Sequence, residues 1–326
     1  MKEYLVKEND QWIVKPSTKL FTSAMEHFHG FWGTFSRNGR LPPIFPGPQP
    51  ISIERAHFDI LRSNPYVVCE KTDGTRVALL AFTFEGKKVT LMFNRSLRMV
   101  WTPLNMPKTA HQGTLLDGEL VDNTIMMYDA VYISGEDLKT KNFLDRLEKL
   151  ELFVKGIMRL AKDPVTVKTK KFVTLDELEG FQTQIVPSMP YKTDGLVFTP
   201  VNDPIRLGTH ETMFKWKPRD ENTIDFQVKW KPNGAVGLYI QDRGSLYFES
   251  EITPDRFDDS FVGWLEEDAI VECRYMIDDQ PMWWKPVGRR TDKTYPNNRR
   301  TYYRTLVNIK EDIKWQEFTR LHKKGK

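Results

Sequence analysis

Three short stretches carry side chains at spacings suited to phosphate chemistry. Residues 70–76 read EKTDGTR, with Lys71 and Arg76 on either side of an Asp-Gly pair. Residues 214–218 read FKWKP, in which Lys215 and Lys217 alternate with Phe214 and Trp216. Residues 288–300 read GRRTDKTYPNNRR, five cations and one Asp in 13 residues. A lysine amine attacks phosphorus or a carbonyl only when neutral. At an ordinary pKa near 10.4, roughly one lysine in 2,500 is neutral at pH 7. A nucleophilic Lys71 therefore needs neighbouring cations and removal from water. In a strand, Lys215 and Lys217 share one face, where they could lower the pKa of Lys71 and later hold a phosphate. The third stretch could clamp pyrophosphate oxygens with arginine forks. Each stretch also has an ordinary reading: a hairpin turn with solvated cations, a half-buried strand with a basic face, a solvated loop.

Two carboxylates and one aromatic belong to the same inventory. Glu119 in LLDGELV (115–121) and Asp194 in KTDGLVFTP (192–200) sit at Asp-Gly pairs, where they could reach a ribose hydroxyl or a metal, or lie on a hairpin surface. Tyr128 in MMYDAV (126–131), next to Asp129, could be core or could stack on a base. His27 and His29 are two apart and share no helix face, so they read as surface residues and not as metal ligands.

These residues need strands to hold them. Apolar runs at 66–69, 77–84, 113–116, 119–121 and 196–200 are punctuated by Asp73-Gly74, Asp117-Gly118 and Asp194-Gly195. Asp-Gly between apolar runs predicts hairpins or strand turns, hence an antiparallel-rich α/β domain and not a doubly wound parallel sheet. A short helix is predicted at 17–29, and a longer one at 141–161 from its 3.6-residue apolar period. The five prolines of 41–50 predict an extended connector. After Pro218, short strand runs at 223–230, 235–240, 245–250, 269–276 and 282–287 predict a small β-barrel of the OB kind. The last stretch reads as an amphipathic helix.

Bulk properties set outer limits. A chain of 326 residues suggests about two domains. A net charge of +4 is compatible with a polyanionic ligand but is not that of a packaging protein. Two distant cysteines, Cys69 and Cys273, allow no zinc spacing and no disulfide framework, which fits a reducing compartment. There is no apolar leader and no run approaching 18 apolar residues, so neither secretion nor a membrane span is expected.

The order of the stretches is more informative than any one of them. Along the chain they run KTDGTR, DGELV, YDAV, TDGLVF, FKWKP, RTDKTYPN. This series resembles the covalent nucleotidyltransferase superfamily, and within it the mRNA capping enzyme guanylyltransferases. KWKP and RTDKTYPN are the more specific parts, and the resemblance runs from FPGPQPISIER (45–55) to near the C-terminus. In brevity the chain is most similar to the compact enzymes of large DNA viruses. The resemblance implies an antiparallel-sheet, ATP-grasp-like nucleotidyltransferase domain over 1–221, with a helix at 306–326 packing back on it, and an OB-fold domain over 222–305.

It also implies roles. Lys71 attacks the α-phosphate of GTP, and GMP then passes from lysine to the 5′-diphosphate end of an RNA, giving GpppN. Lys215 and Lys217 meet the phosphates. Arg76 and Glu119 hold the ribose, and Tyr128 stacks on guanine. Asp194 lies on the metal side or the base side. Arg290, Asp292 and Lys293 reach the β- and γ-phosphates when the second domain closes. Arg95 in MFNRS matches a phosphate- or ribose-side arginine. Lys170 matches a lysine that reads guanine, with Lys168 and Lys171 near enough to leave the register open. Mg²⁺ or Mn²⁺ is expected with GTP. Cys69 is preceded by Val68, so the His-Cys-x5-Arg pattern of a cysteine-type RNA triphosphatase is absent, and no glycine-rich methyltransferase segment is found. The triphosphatase and cap methyltransferase are thus expected on other chains, and the protein itself as an intracellular monomer of the nucleus or cytoplasm, or of an infected cell if viral. Two alternatives stand beside this. One is an ATP-dependent RNA or DNA ligase, which would use Lys71 in the same way with AMP. The other is a non-catalytic OB-fold RNA-binding protein, in which the aromatic strands QVKW and MWWKPV and the basic loops would meet bases and phosphates.

Overall fold

Residues 77–84, VALLAFTF, contain no charge, as suits a strand buried on both faces. The computed structural model describes residues 1–34, 38, 40–291 and 293–321, and places this run in the strand Thr75–Phe84 within a nine-stranded sheet. Across that sheet the order is Leu5–Glu8, Gln11–Val14, Met99–Trp101, Lys87–Asn94, Thr75–Phe84, Thr114–Val121, Thr124–Ile133, Glu136–Asp137. Thr166–Thr169 adds to Thr124–Ile133 in parallel, and the ladders from Lys87 through Ile133 are antiparallel.

Period-two alternation explains why both faces are covered. Ala78, Leu80, Phe82 and Phe84 share a core with Leu20, Ala24, Phe28 and Trp32 of the helix Lys19–Trp32. Val77 and Leu79 face the other way and join Leu150 and Phe153 of the helix Phe143–Lys155. Thr18 caps the first helix by accepting from the Phe21 amide, and Gly33 ends it in the left-handed region at φ 78°. That helix buries His29 completely, which corrects the expectation of a surface histidine. His29 Nδ1 shares a 2.6 Å hydrogen bond with Thr34 Oγ1, and burial lowers its pKa. The second helix stops at Gly156, short of the expected 161. Met158 leaves it to bridge Asn105, and Ala161 is exposed.

A second sheet runs Val173–Thr174, Tyr66–Thr72, Thr193–Pro200, Thr209–Trp216, Gln49–Ser52. It decides what the Asp-Gly pairs do. Asp73-Gly74 is a turn, but it joins Tyr66–Thr72 in this sheet to Thr75–Phe84 in the other, so it is not a hairpin. A Cβ on Gly74 would lie 2.5 Å from the Leu120 carbonyl oxygen, so only glycine lets the turn approach the neighbouring strand. Asp117-Gly118 and Asp194-Gly195 are not turns. Both lie inside strands, Thr114–Val121 and Thr193–Pro200, at irregularities in the pairing. A bulge accommodates glycine for the same conformational reason as a turn, so the dipeptide alone does not separate the two.

The chain forms two compact units, Met1–Ile51 with Ile60–Lys215, and Ser52–Asp59 with Trp216–Lys326. The second unit holds an antiparallel sheet in the order Ser245–Ile252, Val236–Asp242, Thr223–Trp230, Ile270–Met276, Trp283–Arg289. This is the strand order of an OB barrel opened between its third and fifth strands. Its core includes Ile224, Phe226, Leu238, Val271 and Trp284, together with Tyr302 and Ile309 of the helix Arg299–Glu311. In place of one helix over 306–326, Arg299–Glu311 begins earlier and ends at Asp312 in the left-handed region at φ 45°, and a short helix Trp315–Thr319 follows. Arg299–Glu311 packs its apolar face on this unit. Beyond 306 the chain also meets residues that the sequence reading assigns to 1–221: Asn308 donates to the Ile53 carbonyl at 2.6 Å, and Trp216 Nε1 donates to the Ile313 carbonyl at 2.8 Å.

Candidate active site

Lys71 is the sixth residue of the strand Tyr66–Thr72, and Asp194 is the second residue of the adjacent antiparallel strand Thr193–Pro200. Lys71 Nζ donates to Asp194 Oδ1 at 2.8 Å. Asp194 is buried, while Lys71 keeps a quarter of its side chain exposed. The pair places a carboxylate, a proton acceptor, within hydrogen-bond reach of a partly exposed lysine amine.

Arg76 lies past the turn, on the other sheet, directly opposite Glu119 in the pairing with Thr114–Val121. Its guanidinium is buried and forks onto Asp117, with Nε to Oδ1 at 3.1 Å and Nη2 to Oδ2 at 2.6 Å. Nη1 donates to the Pro48 carbonyl at 2.7 Å, and the Phe45 ring lies 4.9 Å from the guanidinium carbon. A Cβ on Gly47 would come within 2.5 Å of Nη2. The proline-rich segment expected as a connector thus packs on the site and shapes the seat of Arg76. Burial works against the Arg76 charge, but Asp117, with Tyr128 and Glu119, outweighs it and holds the guanidinium above its ordinary pKa.

Asp117 also accepts from the Tyr128 hydroxyl at 2.8 Å. Burial raises the Tyr128 pKa well above its ordinary value, against the pull of Arg76, so the hydroxyl stays a donor. Lys170 Nζ lies 5.8 Å from the centre of the Tyr128 ring and donates to the Glu70 carbonyl at 3.1 Å. Its ammonium is also 3.4 Å from Glu70 Oε1, which accepts from Tyr191 and Thr72 at 3.2 Å each. Lys168 and Lys171 are exposed and Lys170 is buried, so packing distinguishes three lysines that spacing left equal. Glu119 is half-buried beside these cations. Burial raises its pKa, against the opposing pull of Lys170, Lys71, the Gly74 amide and Arg76.

Lys71, Arg76, Glu119, Tyr128, Lys170 and Asp194 therefore form one connected cluster in the first unit. Arg95 is exposed on the turn after Lys87–Asn94 and donates to Gln49 Oε1 at 3.2 Å. Lys215 lies on Thr209–Trp216, next to the Asp194 strand. Phe214 and Trp216 are buried and Lys215 and Lys217 are half-buried, as alternation predicts, but the strand ends at Trp216 and Lys217 belongs to the second unit. There, Arg290 Nη1 is 3.2 Å from both carboxylate oxygens of the buried Asp225, and Lys293 also donates to that carboxylate. Asp292 lies outside the described residues. Asp129, the neighbour of Tyr128, is taken up by a buried two-point pair with Arg146, at 2.8 and 3.0 Å, and belongs to the framework.

Sequence reasoning passed over Asp117, Glu70, Tyr191 and Asp225. Asp117 has a signal, since it belongs to DGELV, but the Asp-Gly pair by itself points only to a turn. Among the described residues no group of three or more His, Cys, Asp or Glu could hold a metal. One carboxylate with substrate phosphates is the usual way a protein takes Mg²⁺, so Asp194 fits an ion carried in on a triphosphate and not a resident metal cage.

Comparison with known proteins bears on the same residues. The chain is 25% identical to an mRNA-capping enzyme subunit alpha of Neurospora crassa over 86% of this chain and 84% of that one. It is 32% identical to the Saccharomyces cerevisiae mRNA-capping enzyme subunit alpha, over 85% of this chain and 66% of the relative. Similarity to an mRNA-capping enzyme of Danio rerio, at 29% identity, covers 78% of this chain but only 45% of that longer protein. Residues 15–219, which include the Lys71 cluster and FKWKP, match the family described as mRNA capping enzyme, catalytic domain, and the chain belongs to that family.

Proposed function

We propose that the chain is an mRNA guanylyltransferase whose nucleophile is Lys71. The observation that carries this is the 2.8 Å hydrogen bond from Lys71 Nζ to Asp194, beside the Tyr128–Lys170 pair. An ammonium has no lone pair, so a proton must leave before attack, and Asp194 Oδ1 is the acceptor already in place. Lys71 Nζ then forms a bond to the α-phosphorus of GTP, the bond from that phosphorus to the bridging oxygen breaks, and pyrophosphate departs. A terminal oxygen of a 5′-diphosphate RNA next attacks the same phosphorus. The P–N bond breaks as the nitrogen takes a proton back, GpppN is released and the amine is restored. An enzyme adduct divides one hard displacement into two easier ones.

In this reading Tyr128 offers its ring to the guanine, Lys170 donates to the base edge, and Arg76 and Glu119 hold the ribose. Arg95, Lys215, Lys217, Arg290, Asp292 and Lys293 serve the phosphates. A divalent ion, Mg²⁺ or Mn²⁺, would arrive with GTP and offset phosphate charge, with Asp194 the residue to hold it. The first unit is the nucleotidyltransferase domain and the second the OB domain. The diphosphate end is the product of an RNA triphosphatase, and the GpppN product is a cap methyltransferase substrate. Both are assigned to sites other than this one.

The test is covalent labelling. Wild type with α-labelled GTP and Mg²⁺ is expected to give an acid-labile, alkali-stable nucleotide–protein bond, and Lys71→Ala none. Labelling from ATP and not GTP would move the chain to the ligase reading. No adduct from either nucleotide would leave only the binding-protein reading.

A further inference from the structure

The strand Ser245–Ile252 is an edge of the sheet in the second unit, and its first four residues are exposed. An edge strand facing water is ordinarily polar, yet this one presents Leu246, Tyr247 and Phe248. Tyr247 pairs with the core residue Ile240, so its ring lies on the side of the sheet that the helix Arg299–Glu311 covers. Phe248 pairs with Tyr239 and faces the opposite way, with Lys231 3.9 Å from its ring centre.

On the helix side, Arg299 sits between two exposed rings. Its guanidinium carbon is 5.9 Å from the centre of Tyr247 and 5.6 Å from that of Tyr303. Tyr247 is 43% exposed and Tyr303 46%, so neither ring is spent on the core. Asp242 is the acid facing this guanidinium, at 3.7 Å, and Glu249 lies half-buried behind it. Arg243 is exposed at the adjoining hairpin tip, and Arg300 follows Arg299 on the helix.

We propose that Tyr247, Arg299 and Tyr303 form a docking platform for single-stranded RNA. Bases stack on the two rings and the guanidinium plane, and Arg299 and Arg243 draw the phosphates. The chemistry suits the substrate, because base–aromatic stacking tolerates any sequence, as an enzyme acting on many transcripts requires. Rings for stacking beside Arg299 and Arg243 for phosphate attraction suit an alternating base–phosphate chain. The inference rests on the reading of the chain as an enzyme acting on RNA.

The experiment titrates a short, fluorescent 5′-diphosphate single-stranded RNA into wild type, Tyr247→Ala/Tyr303→Ala, Tyr247→Phe/Tyr303→Phe and Phe248→Ala. GMP adduct formation is measured on the same preparations. The double alanine variant is expected to raise the RNA Kd by about tenfold or more, the loss typical of removing a stacked base's partner. The double phenylalanine variant and Phe248→Ala should bind as wild type, and every variant should form the adduct at the wild-type rate. Unchanged RNA affinity in the double alanine variant, or an equal loss in Phe248→Ala, overturns the platform and leaves the patch to a protein partner. The nucleophile assignment is judged separately: a wild-type chain that binds RNA through these tyrosines yet forms no adduct would retain the platform and lose the guanylyltransferase reading.

Discussion

Lys71 and Asp194 are 123 residues apart in the chain and 2.8 Å apart in the fold, held side by side by the pairing of their strands. The pair joins a partly exposed cation to a buried carboxylate. Asp194 Oδ1 is the proton acceptor within reach of the amine, and the proposed attack on GTP rests on that relationship.

Asp194→Asn keeps the shape of the side chain and removes its capacity to take a proton. Adduct formation with GTP should slow by about 10²–10⁴, the range for loss of a positioned acid–base group. The residual rate should climb with pH more steeply than wild type, because solvent must then deprotonate Lys71. Single-turnover labelling across pH reads both effects. A variant with the wild-type rate and profile would reduce Asp194 to a structural partner.

The buried Arg76–Asp117 pair is expected to matter for folding before it matters for chemistry. Removing one member of a buried ion pair leaves an uncompensated charge and costs about 3–5 kcal/mol. Asp117→Ala would also leave the Tyr128 hydroxyl without its acceptor. Urea denaturation should show a loss of that size, against little change for truncation of the exposed Arg95. A loss under about 1 kcal/mol would mean that water reaches the pair and screens it.

Glu119 links stability to pH. Burial raises its pKa in the folded protein above the ordinary 4.5, despite Lys170, Lys71 and Arg76. Between the two values the folded chain keeps a proton that the unfolded chain has released. Stability therefore falls as pH rises through that window, and the penalty is complete above it. Glu119→Gln cannot ionise, so it should be more stable than wild type above the window, with the gap closing as pH drops to the ordinary value. Thermal melts at a series of pH values measure the gap. A gap independent of pH would mean that desolvation of Glu119 is not its source. In the proposed site the same variant should form adduct more slowly, having lost a ribose contact.

Local chemistry was enough for much of this protein. The apolar run 77–84 predicted a strand, and all of its side chains but Thr83 are buried. The short runs after Pro218 dictated five strands, and the alternation in FKWKP dictated which of its side chains face inward. The order of the motifs carried the resemblance to capping enzymes, which the family match over residues 15–219 bears out.

Packing settled the rest. Asp-Gly favours a turn or a bulge through the same conformational freedom, and only the sheets determine which: a turn between sheets at Asp73, in-strand irregularities at Asp117 and Asp194. Lys168, Lys170 and Lys171 are alike as letters, and burial against Tyr128 and Glu70 selects Lys170. His29 looked solvated until the helix turned it into the interior. Arg76 reads as a ribose contact in the motif, but its guanidinium is first a buried partner of Asp117, 41 residues on. Such pairings have no local signature. They exist only once two sheets have packed, because burial then makes an unpaired charge too costly to leave.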